Sequence, residues 1–140
     1  MLNQLRNTFG KRFTTNNTIL DRHGKDEAYH PLAPPDGVIF PETTEEIREI
    51  VLLCSDNNIP IVPFGVGTSL EGGIGALSGG ICIDFAKMKN ILEINQLDMD
   101  CKVQAGVTRK ELEGKLRDTG LFFPVDPGAD ATIGGMAATS

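Results

Sequence analysis

The segment PFGVGTSLEGG, from Pro63 to Gly73, follows directly on the apolar run IPIV. Its four glycines can adopt the positive φ angles that other residues avoid, so the segment favours a tight loop over a helix or a strand. It carries two hydroxyl side chains and neither lysine nor arginine. Any fold for this chain must therefore place short regular elements on both sides of an irregular, glycine-rich loop.

Two well-known phosphate-binding loops do not fit this segment. A P-loop requires GxxxxGK[ST], and although Gly67 and Gly72 have that separation, Gly73 and Ile74 replace the lysine and the hydroxyl. A Rossmann turn requires GxGxxG before a helix, but Leu70 stands in the third glycine position and a strand-like run, GGICIDF, follows. The remaining interpretations are a plain structural loop or a nest of backbone N–H groups that binds an anion.

The elements around this loop predict a small α/β layer. GVIF and IPIVPF are typical of buried strands, and GICIDF predicts another strand after the loop. Between the first two, TTEEIREIVLLCSDN has the apolar spacing of a helix, with Thr43 and Glu46 at capping-box positions. The three prolines of HPLAPPDG indicate an extended lead-in, so regular structure is expected to begin after residue 36.

The second half of the chain predicts antiparallel strands. NILEIN and MDCKVQA flank the turn QLD and alternate apolar with polar residues, as in a hairpin with one wet face. Thr108 and Glu111 repeat the capping-box spacing, and Gly120 stands where a left-handed residue ends a helix. LFFP then predicts a further short strand.

A second glycine-containing segment, VDPGADATIGGMAATS, closes the sequence. Pro127 and Gly128 predict a turn, and Thr132 with Gly134 and Gly135 predicts a loop able to lie against a flat ring. Two donor-rich glycine loops, roughly sixty residues apart and each after a short strand, could hold one extended ligand between them.

Composition limits the possible partners. The net charge of −6 over 140 residues argues against a nucleic-acid surface, which needs basic residues. The three cysteines form no CxxC pair, which predicts reduced thiols in a cytoplasmic protein and no metal site. No run is long and apolar enough for a transmembrane segment. Leu2, Leu5 and Phe9 predict a short amphipathic helix that packs on the domain, with peripheral membrane contact as the alternative.

Three segments, PDGVIFPETTEEIREIV, PIVPFGVGTSLEGG and VDPGADATIGGMAATS, at these spacings resemble the FAD-linked oxidases of the vanillyl-alcohol oxidase and p-cresol methylhydroxylase type. The likeness is nearest to the branch of D-lactate dehydrogenase and the glycolate oxidase flavin subunit. The resemblance implies an α+β fold whose first subdomain is α/β-like, with residues 1–36 as a lead-in and 37–140 as the start of an FAD-binding domain of the p-cresol methylhydroxylase type. That domain is expected to be incomplete at residue 140.

The resemblance also implies which residues bind the cofactor, FAD. In the family the first loop wraps the pyrophosphate, and the second contacts the isoalloxazine and pyrophosphate. Relatives with covalent flavin carry a histidine where this chain has Thr68, so the resemblance implies a non-covalent FAD. The residues assigned in this way are Pro63, Gly65, Val66, Gly67, Thr68, Ser69 and Leu70 in the first loop and Asp126, Pro127, Gly128, Thr132, Ile133, Gly134 and Gly135 in the second.

The function that the resemblance implies is oxidation of a small D-2-hydroxy acid, D-lactate or glycolate, by hydride transfer to the flavin. A quinone or cytochrome would then accept the electrons. One alternative is a flavin domain acting on another alcohol, an amine or a sugar nucleotide, and another is a truncated, non-catalytic FAD-binding fragment. No catalytic residue is assigned within these residues, and the chain alone is expected to be inactive.

Four other polar residues have structural interpretations. His23 and His30 lie in the lead-in and are expected to be surface or hydrogen-bonding residues, because neither has a neighbouring serine or cysteine to activate. Asp84 is expected at a strand end or turn. The side chain of Asp126 is expected to cap the Pro-Gly turn, with a hydrogen bond to flavin as the alternative.

Overall fold

The computed structural model describes residues 2–139, which form a mixture of helices and strands, as predicted. The helices are α1 (Leu2–Phe9), α2 (Asn17–His23), α3 (Thr44–Asp56), α4 (Arg109–Leu116) and α5 (Ile133–Thr139). The strands are β1 (Phe13–Thr14), β2 (Gly37–Ile39), β3 (Ile61–Phe64), β4 (Ile81–Asp84), β5 (Ile91–Asn95) and β6 (Asp100–Val103). Short 3₁₀ turns cover Gly10–Arg12, Phe85–Lys87 and Arg117–Thr119.

The first half of the chain builds a four-stranded sheet in the order β1-β2-β4-β3. β2 and β3 both pair with β4 in parallel, while β1 adds an antiparallel edge. All four residues of β4 are buried, as expected for a central strand covered on both faces. The predicted order of strand, helix, strand, loop and strand is confirmed, and it forms the α/β layer.

Each face of the sheet supports one apolar cluster. Because side chains alternate along a strand, Ile39, Ile81 and Ile83 join one cluster while Val38 and Cys82 join the other. The first cluster also takes residues of α1, β1 and α3. The second extends to Phe64 and Ile74, so it lies directly beneath the glycine-rich loop.

Regular structure begins well before the three prolines, so that part of the sequence interpretation is wrong. α1, β1 and α2 all lie before residue 24, and Phe13 pairs with Ile39 of β2. Leu5 and Phe9 are buried in the first cluster, which confirms that the N-terminal amphipathic helix packs on the domain. β1 and α2 were not predicted, because they are short, show little apolar periodicity and depend on tertiary packing for their stability. The boundary at residue 36 stays a prediction.

The start of α3 differs from the predicted capping box. Thr43 Oγ1 accepts from the backbone N–H of Glu46 at 3.2 Å, as expected. The Glu46 carboxylate, however, accepts from the N–H of Glu42 at 2.7 Å and from both terminal nitrogens of Arg12 at 2.6 Å. The bidentate ion pair ties the turn after α1 to the first turn of α3. These hydrogen bonds, that from Arg12 foremost, lower the pKa of Glu46 to about 2.

Replacing Glu46 with glutamine is expected to lower the free energy of unfolding at pH 7 by about 2 kcal/mol, the typical size for hydrogen bonds to a charged group. Because folding lowers the pKa of Glu46, its contribution is present above the unfolded pKa and disappears as the pH falls towards about 2. Urea unfolding at pH 7, 4 and 2.5 measures this. Glu45→Gln, in the same helical turn but exposed, is the control, and a Glu46→Gln deficit that does not shrink with acid would contradict the prediction.

The second half contains the predicted hairpin and helix, but not the predicted strand at LFFP. β5 and β6 pair antiparallel, Thr108 and Glu111 form the complete capping box of α4, and Gly120 has φ +76°. Residues 121–124 pair with no strand within residues 2–139; instead Phe123 N–H donates to Glu113 Oε1 at 2.7 Å. Ile91, Ile94 and Val103 of this hairpin pack against the cluster of Val107, Leu112 and Leu116, but Cys101 is exposed, so the expected dry face is only partly formed.

Candidate functional site

A cleft of about 620 Å³ lies beyond the carboxyl end of β3. One wall is the loop that leaves β3 and returns to the start of β4, and the other is the segment from Pro127 into α5. Ligands commonly bind beyond the carboxyl ends of parallel strands, where the connecting loops separate. Two glycine-containing segments that are far apart in sequence therefore face one another across a single concave site.

The first wall offers free backbone donors. Gly67 has φ +75°, the left-handed conformation that occurs in backbone nests. The N–H groups of Gly67, Thr68 and Ser69 donate to no protein acceptor within residues 2–139, and all three residues line the cleft. Unpaired N–H groups beside a left-handed glycine are what an anion-binding nest requires, which is one of the two alternatives that the sequence left open.

Residues of the lead-in pack against the first wall and form hydrogen bonds that support it. The buried carboxylate of Asp26 accepts from His30 Nδ1 at 2.8 Å, and the His30 ring lies 3.1 Å from the position that a Cβ on Gly72 would occupy. Nearby, Asp36 Oδ2 accepts from the N–H of Gly80 at 2.7 Å. The contacts of His30 with Gly72 and of Asp36 with Gly80 could not be predicted from the sequence, because they join residues more than forty positions apart.

The second wall is partly helical, contrary to the expected loop. Thr132 Oγ1 accepts from the N–H of Gly135 at 3.1 Å and so caps the first turn of α5. Ile133 N–H donates to Val107 O at 2.8 Å, and Gly134 N–H donates to Ala105 O at 3.0 Å. At these three positions the expectation of free donors fails, because their N–H groups are already used; Gly134 and Gly135 instead present backbone without side chains to the cleft.

The two walls touch at one point. A Cβ built on Gly65 would lie 2.5 Å from Thr132 Oγ1, a contact too short for real atoms. Thr132 is buried, and its hydroxyl is fixed by its bond to Gly135. Glycine at position 65 is thus what allows the first loop to approach the start of α5.

The cleft collects most of the residues assigned by resemblance. Those that line it are Pro63, Gly65, Val66, Gly67, Thr68, Ser69, Leu70, Pro127, Thr132, Gly134 and Gly135. Asp126, Gly128 and Ile133 do not line it. Asp126 Oδ1 accepts from Gly128 N–H at 3.1 Å, which confirms its role in the Pro-Gly turn, and Ile133 packs against the cluster around Val107.

The rest of the lining is apolar apart from one carboxylate. The rings of Phe64 and Phe85 and the side chains of Ile74 and Met136 contribute to it. Glu71 is the one titratable side chain among the described lining residues, and a hydrogen bond from Ser69 lowers its pKa. An anionic ligand would consequently be held by backbone N–H groups and hydroxyls, without any cationic side chain of this lining.

Two polar residues predicted to be structural lie just beneath the cleft. Asp84 is the last residue of β4, which confirms the expectation of a strand end. His23 forms hydrogen bonds, as expected, but it is buried and not at the surface; its Nε2 lies 2.8 Å from Asp84 Oδ2. His30 is also hydrogen-bonded, to Asp26. Neither histidine lines the cleft.

The cysteines and the helices are next compared with the expectations from the sequence. Cys54, Cys82 and Cys101 are all free, as expected, and burial raises the pKa of Cys82 to about 12. No helix within residues 2–139 is both long and apolar enough to cross a bilayer.

Comparisons with a family model and with known sequences agree on one family. The model of the FAD binding domain family matches residues 35–140. A probable mitochondrial D-lactate dehydrogenase of Danio rerio is 52% identical over 122 residues, covering 87% of this chain and 24% of that protein. A mitochondrial D-lactate dehydrogenase (cytochrome) of Arabidopsis thaliana is 40% identical over 99% of this chain and 25% of that protein. The glycolate oxidase subunit GlcD of Bacillus subtilis is 42% identical over 72% of this chain and 22% of that protein.

Comparison with solved structures supports the fold. Alkyldihydroxyacetonephosphate synthase superposes with a TM-score of 0.90 at 24% identity, over 99% of this chain and 31% of that one. p-Cresol methylhydroxylase superposes with a TM-score of 0.75 at 20% identity, over 86% of this chain and 24% of that one. The predicted p-cresol methylhydroxylase type of fold is confirmed. The chain spans about a quarter of the length of the curated relatives it matches.

Proposed function

We propose a function from the premise that this chain belongs to the FAD binding domain family. It is the FAD-binding part of an oxidoreductase that oxidises a small D-2-hydroxy acid, D-lactate or glycolate, to the corresponding 2-oxo acid. The observation that carries this proposal is the 52% identity with a protein named as a D-lactate dehydrogenase. The relative named as a glycolate oxidase subunit supports the same substrate class.

The residues of the cleft fit FAD. Its pyrophosphate would accept hydrogen bonds from the free N–H groups of Gly67, Thr68 and Ser69. Its flat ring system would lie against Gly134 and Gly135, where the absence of Cβ atoms permits close approach. We propose the same cofactor-binding role for the other residues that the resemblance assigns, including Asp126, Gly128 and Ile133 at the edge of the second wall.

The FAD is held non-covalently. No histidine, cysteine or tyrosine lines the cleft within residues 2–139, so its lining offers none of the side chains suited to a covalent bond with the flavin. Thr68, at the position where covalent relatives carry histidine, has a hydroxyl that is a weak nucleophile without an activating base. Among these residues, affinity would come from the N–H groups of the first loop and from the apolar lining.

Bound FAD would supply the redox chemistry, taking a hydride from the substrate α-carbon while the substrate hydroxyl loses a proton. The described cleft residues would bind and orient the cofactor and exclude water from its apolar side. They provide no base for the hydroxyl proton, because the carboxylate of Glu71 is acidified and is already engaged by Ser69. Groups other than these cleft residues must bind the substrate carboxylate and remove the proton of the substrate hydroxyl.

We propose a quinone or cytochrome as the electron acceptor, and the relative named as a cytochrome-linked enzyme supports this choice. A cytoplasmic location stays a prediction; two of the relatives above are named as mitochondrial proteins.

The proposed activity is tested with the protein expressed from its complete reading frame and saturated with FAD. Anaerobic addition of D-lactate or glycolate is expected to bleach the flavin absorbance, whereas L-lactate leaves it unchanged. Residues 1–140 alone are expected to show no dye reduction, because lack of a positioned base costs roughly a hundredfold to ten-thousandfold in rate. A flavin that neither D-lactate nor glycolate bleaches would contradict the proposed substrate class.

A further inference from the structure

The first wall of the cleft already carries an anion of its own, the carboxylate of Glu71. The Ser69 hydroxyl donates a hydrogen bond to Glu71 Oε2, and Ser69 Oγ accepts from the N–H of Glu71 at 3.5 Å. Both residues line the cleft. A serine hydroxyl has one proton to donate, so Ser69 cannot donate to a phosphate oxygen while it donates to Glu71.

Glu71 is negatively charged at neutral pH. The hydrogen bond from the Ser69 hydroxyl, together with those from the N–H groups of Glu71 itself and of Leu70, lowers the pKa of its carboxyl below the usual value. The donors at this end of the first loop are therefore engaged by a carboxylate of the same loop, whereas the N–H groups of Gly67, Thr68 and Ser69 are free.

This charge opposes the ligand proposed for the cleft. A pyrophosphate is negatively charged, and like charges repel one another. Among the described lining residues no lysine or arginine balances Glu71. The buried carboxylate of Asp26, behind the same loop, adds charge of the same sign, since it acts to raise the pKa of Glu71. The first loop thus combines donors for an anion with a fixed negative charge beside them.

The Glu71 side chain is free to leave this position. Glu71 is exposed, and the hydrogen bonds that its carboxylate accepts within residues 2–139 come from its own loop, from Ser69, Leu70 and Glu71 itself. Turning the side chain into solvent therefore disturbs no core packing. The main cost is the charge-assisted hydrogen bond with Ser69, which a phosphate oxygen can replace with another of the same kind.

We propose that Glu71 determines the affinity of the cleft for its cofactor, because its carboxylate competes with the FAD pyrophosphate for the Ser69 hydroxyl and so weakens binding. The inference rests on the proposed binding of FAD in this cleft. When FAD binds, Glu71 turns towards solvent and the Ser69 hydroxyl donates to a phosphate oxygen instead. One hydrogen bond to a charged group is exchanged for another, so Ser69 adds little net affinity in the wild type.

A double-mutant cycle tests this competition. Glu71→Ala, Ser69→Ala and the combined variant are compared with the wild type, each expressed from the complete reading frame. The FAD dissociation constant is measured at pH 7 by quenching of flavin fluorescence. Glu49→Ala, which removes the same charge at an exposed position of α3 outside the cleft, is the control.

We expect Glu71→Ala to lower the FAD dissociation constant about fivefold, the size of one charge interaction at an exposed site, and Glu49→Ala to leave it unchanged. Ser69→Ala alone should change it little, but in the Glu71→Ala protein it should raise it about tenfold, because the hydrogen bond to phosphate then replaces no other.

Two results would overturn the inference. One is a dissociation constant of Glu71→Ala that is unchanged or raised, and the other is an effect of Ser69→Ala that is no larger in the Glu71→Ala protein than in the wild type. Absence of FAD binding by the wild type would instead overturn the proposed function and the inference with it.

Discussion

Replacement of Gly67 by valine is expected to abolish FAD binding while leaving a folded protein. A β-branched residue at φ +75° is strained, by about 1–3 kcal/mol for such a backbone, and its Cβ would lie 3.0 Å from the Phe64 ring. Relief of that strain turns the N–H groups of Thr68 and Ser69 away from the cleft, and the pyrophosphate loses its donors. The variant should purify without yellow absorbance, with the circular dichroism spectrum of the wild type.

The matched control for this variant is Gly120→Val. Gly120 has φ +76°, so valine there carries the same backbone strain, but nothing lies within 4 Å of its Cβ position and it does not line the cleft. It should lose stability and keep FAD. Stoichiometric FAD in purified Gly67→Val protein would contradict the assignment of the nest.

Gly65→Ala is expected to weaken FAD binding about a hundredfold, the size of effect that a displacement of about 1 Å can produce in a positioned site. The added Cβ would meet Thr132 Oγ1 at 2.5 Å, and that hydroxyl cannot turn aside without releasing Gly135 at the start of α5. The first loop must therefore move away from the second wall. The two walls would no longer face one ligand at the right separation.

A second substitution distinguishes this clash from a general loss of folding. Thr132→Ala removes the hydroxyl and is expected to cost only about 1 kcal/mol of stability as a lost helix cap. Gly65→Ala combined with Thr132→Ala should bind FAD as well as Thr132→Ala alone, because the colliding atom is gone. Additive losses in titrations of the four proteins would show that the two residues are not in contact.

The elements that the sequence predicted well are those whose signal lies within a few residues. The capping box of Thr108 and Glu111 and the left-handed Gly120 were found because each depends on neighbours in sequence. The LFFP strand failed because a strand exists only with a partner, and no strand within residues 2–139 pairs with residues 121–124. β1 and α2 were missed because short elements owe their stability to the core they cover, here through Phe13 of β1 and Ile19 and Leu20 of α2.

The candidate site likewise combines features that are local in the sequence with features that depend on tertiary contacts. The first loop could be read as a nest because glycine spacing and the absence of lysine are local properties, and the structure adds that its N–H groups are free. The donors of the second segment could not be read from the sequence, because their acceptors, Val107 O and Ala105 O, lie more than twenty residues away. Likewise, His23 was placed in a polar lead-in, and only its distance to Asp84 reveals a buried pair.

The sequence by itself determined where the chain bends, where the longer helices and the strands flanking the first loop lie, and which family motifs it carries, since φ preferences, caps and apolar spacing act over a few residues. The tertiary structure decided that Gly65 meets Thr132, that the N–H groups of Ile133 and Gly134 are already used, and that His23 lies 2.8 Å from Asp84 in a buried pair. Gly65 and Thr132 lie about sixty positions apart in the sequence, and so do His23 and Asp84. Such contacts depend on the packing of whole elements around the core and not on local preference.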